Sequence, residues 1–256
     1  MNIVVLCKPV FDTEAKIKLK DGSIDSSGVN IILNPYDEFG VEEALGITEK
    51  YGGEVIILSA GCYISEVVIR QALAMGADRA IVVEDEALEG TDAHGIALTL
   101  AKSLEGVEYD IILSGMVAID DNGSQVNSRL AEILNIPQVT VVQKLEISEG
   151  KAVCERQGDG TTEDIEVQLP ALFSATKGLN EPRYPSLKGI MMAKKKEVKQ
   201  VVLADLGLSR EDVKPQIEIV EYSLPEPRQA GKILEGEVEE TVAELVNLLH
   251  EEAKAI

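Results

Sequence analysis

Short apolar runs alternate with helix-period patterns along the first two-thirds of the chain. Residues 2–6 (NIVVL) read as a strand, continuously apolar from Ile3 to Leu6 as when both faces are covered. A polar, lysine-containing excursion follows and ends at Ile31-Ile32-Leu33. In the next stretch, NPYDEFGVEEALGITEK, Asn34 is a candidate helix cap and Pro35 suits the first turn. Val41, Ala44, Leu45 and Thr48 recur at i, i+3, i+4, i+7 and predict one inward helix face, with Gly52-Gly53 as its stop. A strand over 54–61 (EVIILSAG) leads to a helix begun by Ser65, with Val68, Ile69, Ala72 and Leu73 inward and Gly76 at its end. Residues 79–83 return as a strand. Thr91 then opens a helix with Ala93, Ile96, Ala97, Leu100 and Leu104 on one face. Residues 110–115 (DIILSG) predict another strand, about 122–134 a helix, and PQVTVV a further strand.

Strands separated by helices of 10–15 residues imply βαβ crossovers. The expected fold class is therefore α/β: a mostly parallel, Rossmann-like sheet with helices on both faces. KLEISEGKAVCERQ then reads as a hairpin around Ser148-Glu149-Gly150, and EDIEVQLPALFSAT as two short extended runs. Together they predict an antiparallel extension of the sheet. Beyond Lys196 the character changes. Residues 201–256 carry 13 acidic and 5 basic side chains, and Pro215, Pro225 and Pro227 break the first half. Val238, Val242, Leu245, Val246 and Leu249 give the end the pattern of an amphipathic helix. Such an arm buries little by itself, so it either folds back on its own domain or wraps a partner.

Charge narrows the partners. A net charge of -21 excludes general binding to nucleic acid or anionic membranes, which needs a basic surface. Cys7, Cys62 and Cys154 are widely spaced with no C-x-x-C pair, as expected of free thiols in a reducing compartment. His94 and His250 suggest no metal motif. The opening MNIVVLCKPV lacks signal-peptide features, and no run approaches the roughly 20 apolar residues of a membrane span. A cytoplasmic protein without membrane insertion is expected.

Ligands of open parallel sheets bind beyond the carboxyl ends of the strands. Here those ends read Leu6-Cys7-Lys8-Pro9, Asn34-Pro35-Tyr36-Asp37, Ser59-Ala60-Gly61 and Ser114-Gly115. The last runs into GMVAIDDNGSQVNSRL, where Asn122, Gly123, Ser124 and Gln125 lead into a helix. Free N–H groups there favour an anion such as phosphate, although small polar residues at a helix start are also ordinary caps. Asp120-Asp121 could coordinate magnesium, but adjacent side chains are expected to point two ways, and loop solvation accounts better for the pair. G-x-x-x-x-G-K-[ST], G-x-G-x-x-G after the first strand and G-x-S-x-G are all absent, and no catalytic constellation is present. The most irregular stretch is GLNEPRYPSLKGIMMAKKK at 178–196, where Leu187 stands among turn formers beside Lys194, Lys195 and Lys196. An apolar tip that anchors and charges that steer make a protein-docking device.

LNEPRYPSLKGIMMAKKK resembles the signature of the electron-transfer flavoprotein β subunit, and so, in the same order, do NPYDEFGVEEAL, ALAMGADRAIVV and AIDDNGSQV. The resemblance runs from Met1 to about Lys199 and more loosely through the acidic arm. It implies an electron carrier, not an enzyme, that forms a heterodimer with an α subunit. The redox FAD is bound mostly by α, and AMP sits in the β subunit. The family's AMP positions fall on Leu6, on Asn34, Pro35, Tyr36 and Asp37, on Ala60, and on Gly115 through Val126, which includes Asp120, Asp121, Asn122, Gly123, Ser124 and Gln125. Residues 1–199 would then be the nucleotide-binding domain and 200–256 an arm on the α subunit. Segment 178–196 becomes a recognition segment for an acyl-CoA or related dehydrogenase. Leu187 is its plug, with Glu181, Arg183, Tyr184, Lys194, Lys195 and Lys196 around it, and a downstream redox acceptor receives the electrons.

Two departures matter. Arg156-Gln157-Gly158-Asp159-Gly160 stands where simple carriers have Arg-Glu-x-Asp-Gly-Gly, so the family's acidic contact to the flavin domain does not carry over to Gln157. The phosphate loop, Asp120 to Val126, is closer to the AMP form than to the Asp-Gly-Asp-Thr-Ala-Gln-Val of electron-bifurcating relatives, which hold a second FAD there and oxidise NADH. An ATP-pyrophosphatase-type ligase shares the fold, but its Ser-Gly-Gly-x-Asp-Ser is not matched by Ser59-Ala60-Gly61-Cys62-Tyr63-Ile64-Ser65. Stress-protein-like nucleotide sensors lack the recognition segment and arm.

Overall fold

The computed structural model describes residues 1–228 and 230–256. The chain forms β1 (Asn2–Leu6), β2 (Pro9–Phe11), β3 (Leu19–Lys20), β4 (Ser23–Ile24), β5 (Ile31–Leu33), α1 (Pro35–Tyr51), β6 (Glu54–Gly61), α2 (Glu66–Met75) and β7 (Arg79–Glu84). It continues through α3 (Ala93–Ser103), β8 (Ile111–Gly115), α4 (Val126–Leu134), β9 (Gln138–Ser148), β10 (Lys151–Gln157), β11 (Thr162–Gln168), β12 (Ala171–Ala175), α5 (Leu187–Ala193), β13 (Val198–Val201) and α6 (Val238–Asn247).

One nine-stranded sheet has the order β11-β10-β9-β12-β8-β1-β6-β7-β13. Every pairing from β9–β12 to β7–β13 is parallel, and β9, β10 and β11 form an antiparallel edge. The α/β expectation holds, with helices on both faces. Val41, Ala44 and Leu45 of α1, Val68, Ile69, Ala72 and Leu73 of α2 and Ala193 of α5 pack on one side. Ala97 and Leu100 of α3 and Leu130 and Ala131 of α4 pack on the other. This two-sided cover explains why NIVVL carries no polar alternation: Ile3, Val4 and Val5 are each fully buried.

Four expectations change in detail. ALFSA does not extend the sheet antiparallel; β12 inserts between β8 and β9, parallel to both, and all five of its residues are buried. Its continuous burial follows from that interior position. PQVTVV and KLEIS form one strand, β9, which leaves β12 for β10 near Val141, a residue at φ 60°. The helix expected from about 122 begins at Val126, because Asn122 (φ 51°) and Ser124 (φ 50°) are left-handed and cannot continue a right-handed helix. The excursion from 9 to 33 also holds short antiparallel ladders, β2–β5 and β3–β4.

The chain divides into two compact units. One comprises 1–17 and 25–220, the other 18–24 and 221–256. Residues 198–220 therefore stay with the sheet: β13 pairs with β7, and Leu203 and Val213 are buried. In the second unit the amphipathic helix expected from the spacing forms as α6, with Val238, Val242, Leu245 and Val246 exposed. Among the described residues no helix is long and apolar enough to cross a membrane.

Candidate functional site

The strand order reverses at β1, whose neighbours are β8 on one side and β6 on the other. Connections leaving these strands part in opposite directions, and a crevice opens beyond their carboxyl ends. A cleft of about 390 Å³ lies there, within the size range of small-molecule sites. Leu6, Asn34, Asp37, Ala60, Gly115, Asp121, Gly123, Ser124, Gln125 and Val126 line it. Pro35, Tyr36, Asp120 and Asn122 are not among the lining residues.

A buried carboxylate organises the floor. Asp37, in the first turn of α1, accepts the backbone N–H of Lys8 (2.8 Å), the Asn34 side-chain amide (2.9 Å) and the N–H of Gly115 (2.9 Å). It thereby joins the ends of β1 and β8 to the start of α1. Asn34 and Pro35 begin that helix as the spacing predicts, but the Asn34 side chain makes no cap. Its amide donates to Asp37 and to the Val117 carbonyl (2.9 Å), and its oxygen accepts the Ile119 N–H. Asn127 of α4 donates to the Gly115 carbonyl (2.9 Å), and the Ser124 hydroxyl to that of Met116 (3.0 Å).

Burial pushes the Asp37 carboxyl from 3.8 up to about 7, against the Lys8, Asn34 and Gly115 donors that favour the ionised form. The folded value lies above the unfolded one, so the folded state holds the extra proton. Stability from this group is fully present below about pH 4 and is lost as pH rises through about 7. In Asp37→Asn one of the three donors must face an NH2 group. The expected cost is about 1–3 kcal/mol, the penalty for an unsatisfied buried donor, together with loss of this pH slope. Urea unfolding of wild type and variant from pH 4 to 8 reads both.

Lys8, which lines the cleft, is held internally. Lys8 Nζ pairs with Asp120 (2.8 Å) and Asp121 (3.0 Å), and Asp121 also accepts the Gly123 N–H (2.8 Å). Burial weakens the Lys8 ammonium, but the two carboxylates outweigh it and hold its pKa above the ordinary value. The two carboxylates, expected to point apart into solvent, instead converge on one lysine, because its ammonium reaches both, and among the described residues no cluster suited to a metal occurs. No side chain caps α4, whose first residues Val126 and Asn127 line the cleft, so its N-terminal amides remain available to an anion.

Two lining groups are unexpected. Ser59 and Ser114 are both 2% exposed, and their hydroxyls have no hydrogen-bond partner among the described residues. Buried polar atoms are normally satisfied, so orphans at a cleft are candidates for ligand contact. Both lie in strand ends singled out from sequence, yet nothing in the pattern distinguished their hydroxyls from core serines. The far wall, with Leu88, Thr91, Asp92, Ile96 and Leu100, was not legible as site. Its one local signal is Asp92, which caps α3 through the N–H groups of His94 and Gly95.

The recognition segment is more ordered than its prolines suggest. Leu187 is the first residue of α5, capped by Ser186, and is 83% exposed; Tyr184 is 97% exposed. Glu181, Lys194 and Lys195 are also exposed. Arg183 is paired with Glu42 and Glu49, and Lys196 donates to the carbonyls of Leu73, Gly76 and Ala77. Gln157 accepts from Gln143 (2.9 Å).

A family profile described as "Electron transfer flavoprotein domain" matches residues 21–206. Electron transfer flavoprotein subunit beta of Bacillus subtilis (strain 168) is 46% identical over 100% of both chains. The protein of the same name from Syntrophomonas wolfei is 44% identical over 99% of this chain and 98% of its own. That from Thermoanaerobacterium thermosaccharolyticum is 43% identical over 98% of each. These matches establish that the chain belongs to the electron-transfer flavoprotein β-subunit family.

Proposed function

We propose that this chain pairs with an α subunit as a heterodimeric electron carrier, holds AMP in the cleft, and performs no bond chemistry itself. FAD, held mostly by the α subunit, supplies the redox chemistry. Electrons come from an acyl-CoA or related dehydrogenase that docks at Leu187, and leave to a downstream redox acceptor. The C-terminal arm, with the exposed apolar face of α6, packs on the α subunit.

The cleft carries this reading. Its walls suit an adenine nucleotide: Leu6 and Ala60 offer an apolar shelf, Ser59 and Ser114 offer unmatched hydroxyls, and the uncapped start of α4 offers amides to a phosphate. Its volume of about 390 Å³ admits a mononucleotide. The Asp120–Val126 loop, closer to the AMP form, favours the simple carrier over a bifurcating complex with a second FAD here.

Co-expression with the α subunit, denaturation of the purified complex and chromatography of the released cofactors test the proposal. One FAD and one AMP per heterodimer are expected. Two FAD and no AMP would mean that the phosphate loop had been misread and that the complex bifurcates.

A further inference from the structure

We infer that Arg183 is a positioning residue: it holds the recognition segment in its docking-ready form and does not itself touch the partner. This rests on the reading of Leu187 as the docking tip.

In the segment from Gly178 to Lys196, Ala193 is the one fully buried side chain among the described residues, and Leu179 packs partly buried against the core. Polar ties add to this packing at both ends. Upstream, Asn180 donates to the Phe39 carbonyl (3.0 Å) and to Glu43 (2.9 Å) on α1. The Arg183 backbone N–H donates to Glu42 Oε2 (3.0 Å), and its guanidinium grips the same carboxylate through Nε (2.8 Å) and Nη2 (2.9 Å). Nη1 goes to Glu49. Downstream, Arg70 of α2 donates to the Ala193 carbonyl (2.7 Å), and Lys196 caps the end of α2. Gly189 permits this closeness, because a Cβ there would lie 2.4 Å from the Ala74 carbonyl oxygen. Tyr184 and Leu187 project between these two fixed ends.

The geometry separates positioning from contact. Glu42 is only 14% exposed, so its forked pair with Arg183 is drier than an ordinary surface ion pair and less screened by salt. Nε, both N–H groups of Nη2 and one of Nη1 are directed at two carboxylates of α1, so four of the five guanidinium donors are committed within this chain. Fixing the segment beforehand removes its ordering cost from association. Partner affinity therefore depends on a residue that stays on this side of the interface.

The test uses the holo heterodimer. Hydrogen–deuterium exchange across 178–196 is compared for wild type, Arg183→Ala and Arg183→Lys, alongside steady-state reduction by a butyryl-CoA dehydrogenase. Arg183→Ala is expected to raise exchange in the segment about tenfold. It should raise the apparent KM for the flavoprotein about tenfold with kcat unchanged. Arg183→Lys keeps the charge but loses the fork, so it should fall between. If Arg183→Ala fails to assemble, Glu49→Gln removes the outer half of the grip and should raise both quantities severalfold. Unchanged exchange overturns the clamp. Raised exchange with unchanged KM, while Leu187→Ala still raises KM, overturns the positioning role. Should Leu187→Ala leave KM unchanged as well, the docking reading falls and takes this inference with it.

Discussion

Gly115→Ala is expected to lose AMP and to unfold well below wild type, although it adds one methyl group. A Cβ at Gly115 would lie 2.5 Å from Asp37 Oδ1, 2.6 Å from Tyr36 Cβ and 2.8 Å from the Tyr36 carbonyl carbon. Two of those atoms belong to the backbone or its first branch and cannot rotate aside. The start of α1 must withdraw from β8, which stretches the Gly115 N–H bond to Asp37 and disturbs the other bonds of that carboxylate. Overpacking costs about 1–3 kcal/mol and an unsatisfied buried donor about as much again. At about 2–4 °C per kcal/mol for a chain of this size, the midpoint should fall on the order of 10 °C. Gly123→Ala is the control for stability alone, since Gly123 itself lines the cleft. Its Cβ would meet only the Asp121 carboxylate, at 3.3 Å, and that side chain can swing away. A Gly115→Ala heterodimer with wild-type midpoint and full AMP content would contradict the close packing of α1 on β8.

The same contacts show how far the sequence could be read. Apolar periodicity located the parallel strands and flanking helices because both faces of the sheet are covered, so burial and pattern coincide. It misplaced ALFSA because a five-residue buried run looks the same at an edge or in the interior; only the β8 and β9 pairings decide. The strand ends pointed to the cleft, since topology alone puts ligands there. The Lys8–Asp120–Asp121 network was invisible, because it joins residues more than a hundred positions apart. The Arg183 grip was hidden for the same reason: Glu42 and Glu49 face outward on α1 like any solvated acidic residues until a distant segment returns to meet them. Charges near Leu187 read equally well as partner contacts or internal ties, and the fold assigns Arg183 and Lys196 internal bonds while Lys194 and Lys195 stay exposed.

Leu187→Ala should cripple electron uptake from the dehydrogenase without changing FAD content or heterodimer assembly. The side chain stands at the start of α5, 83% exposed, and the fold needs nothing from it. Burying a leucine in a partner's pocket is worth about 1.5–3 kcal/mol, and a central anchor of an interface reaches 2 or more. Its truncation should therefore raise the dehydrogenase's apparent KM for the carrier about 10- to 100-fold. Lys194 and Lys195 act differently, because exposed charges steer the encounter and are screened within about 8 Å at physiological ionic strength. Lys194→Gln with Lys195→Gln should flatten the salt dependence of the association rate, whereas Leu187→Ala should keep that dependence and lose affinity at every salt concentration. The two classes separate an anchor from a steering charge, and transfer kinetics unchanged in Leu187→Ala would remove the leucine from the docking surface altogether.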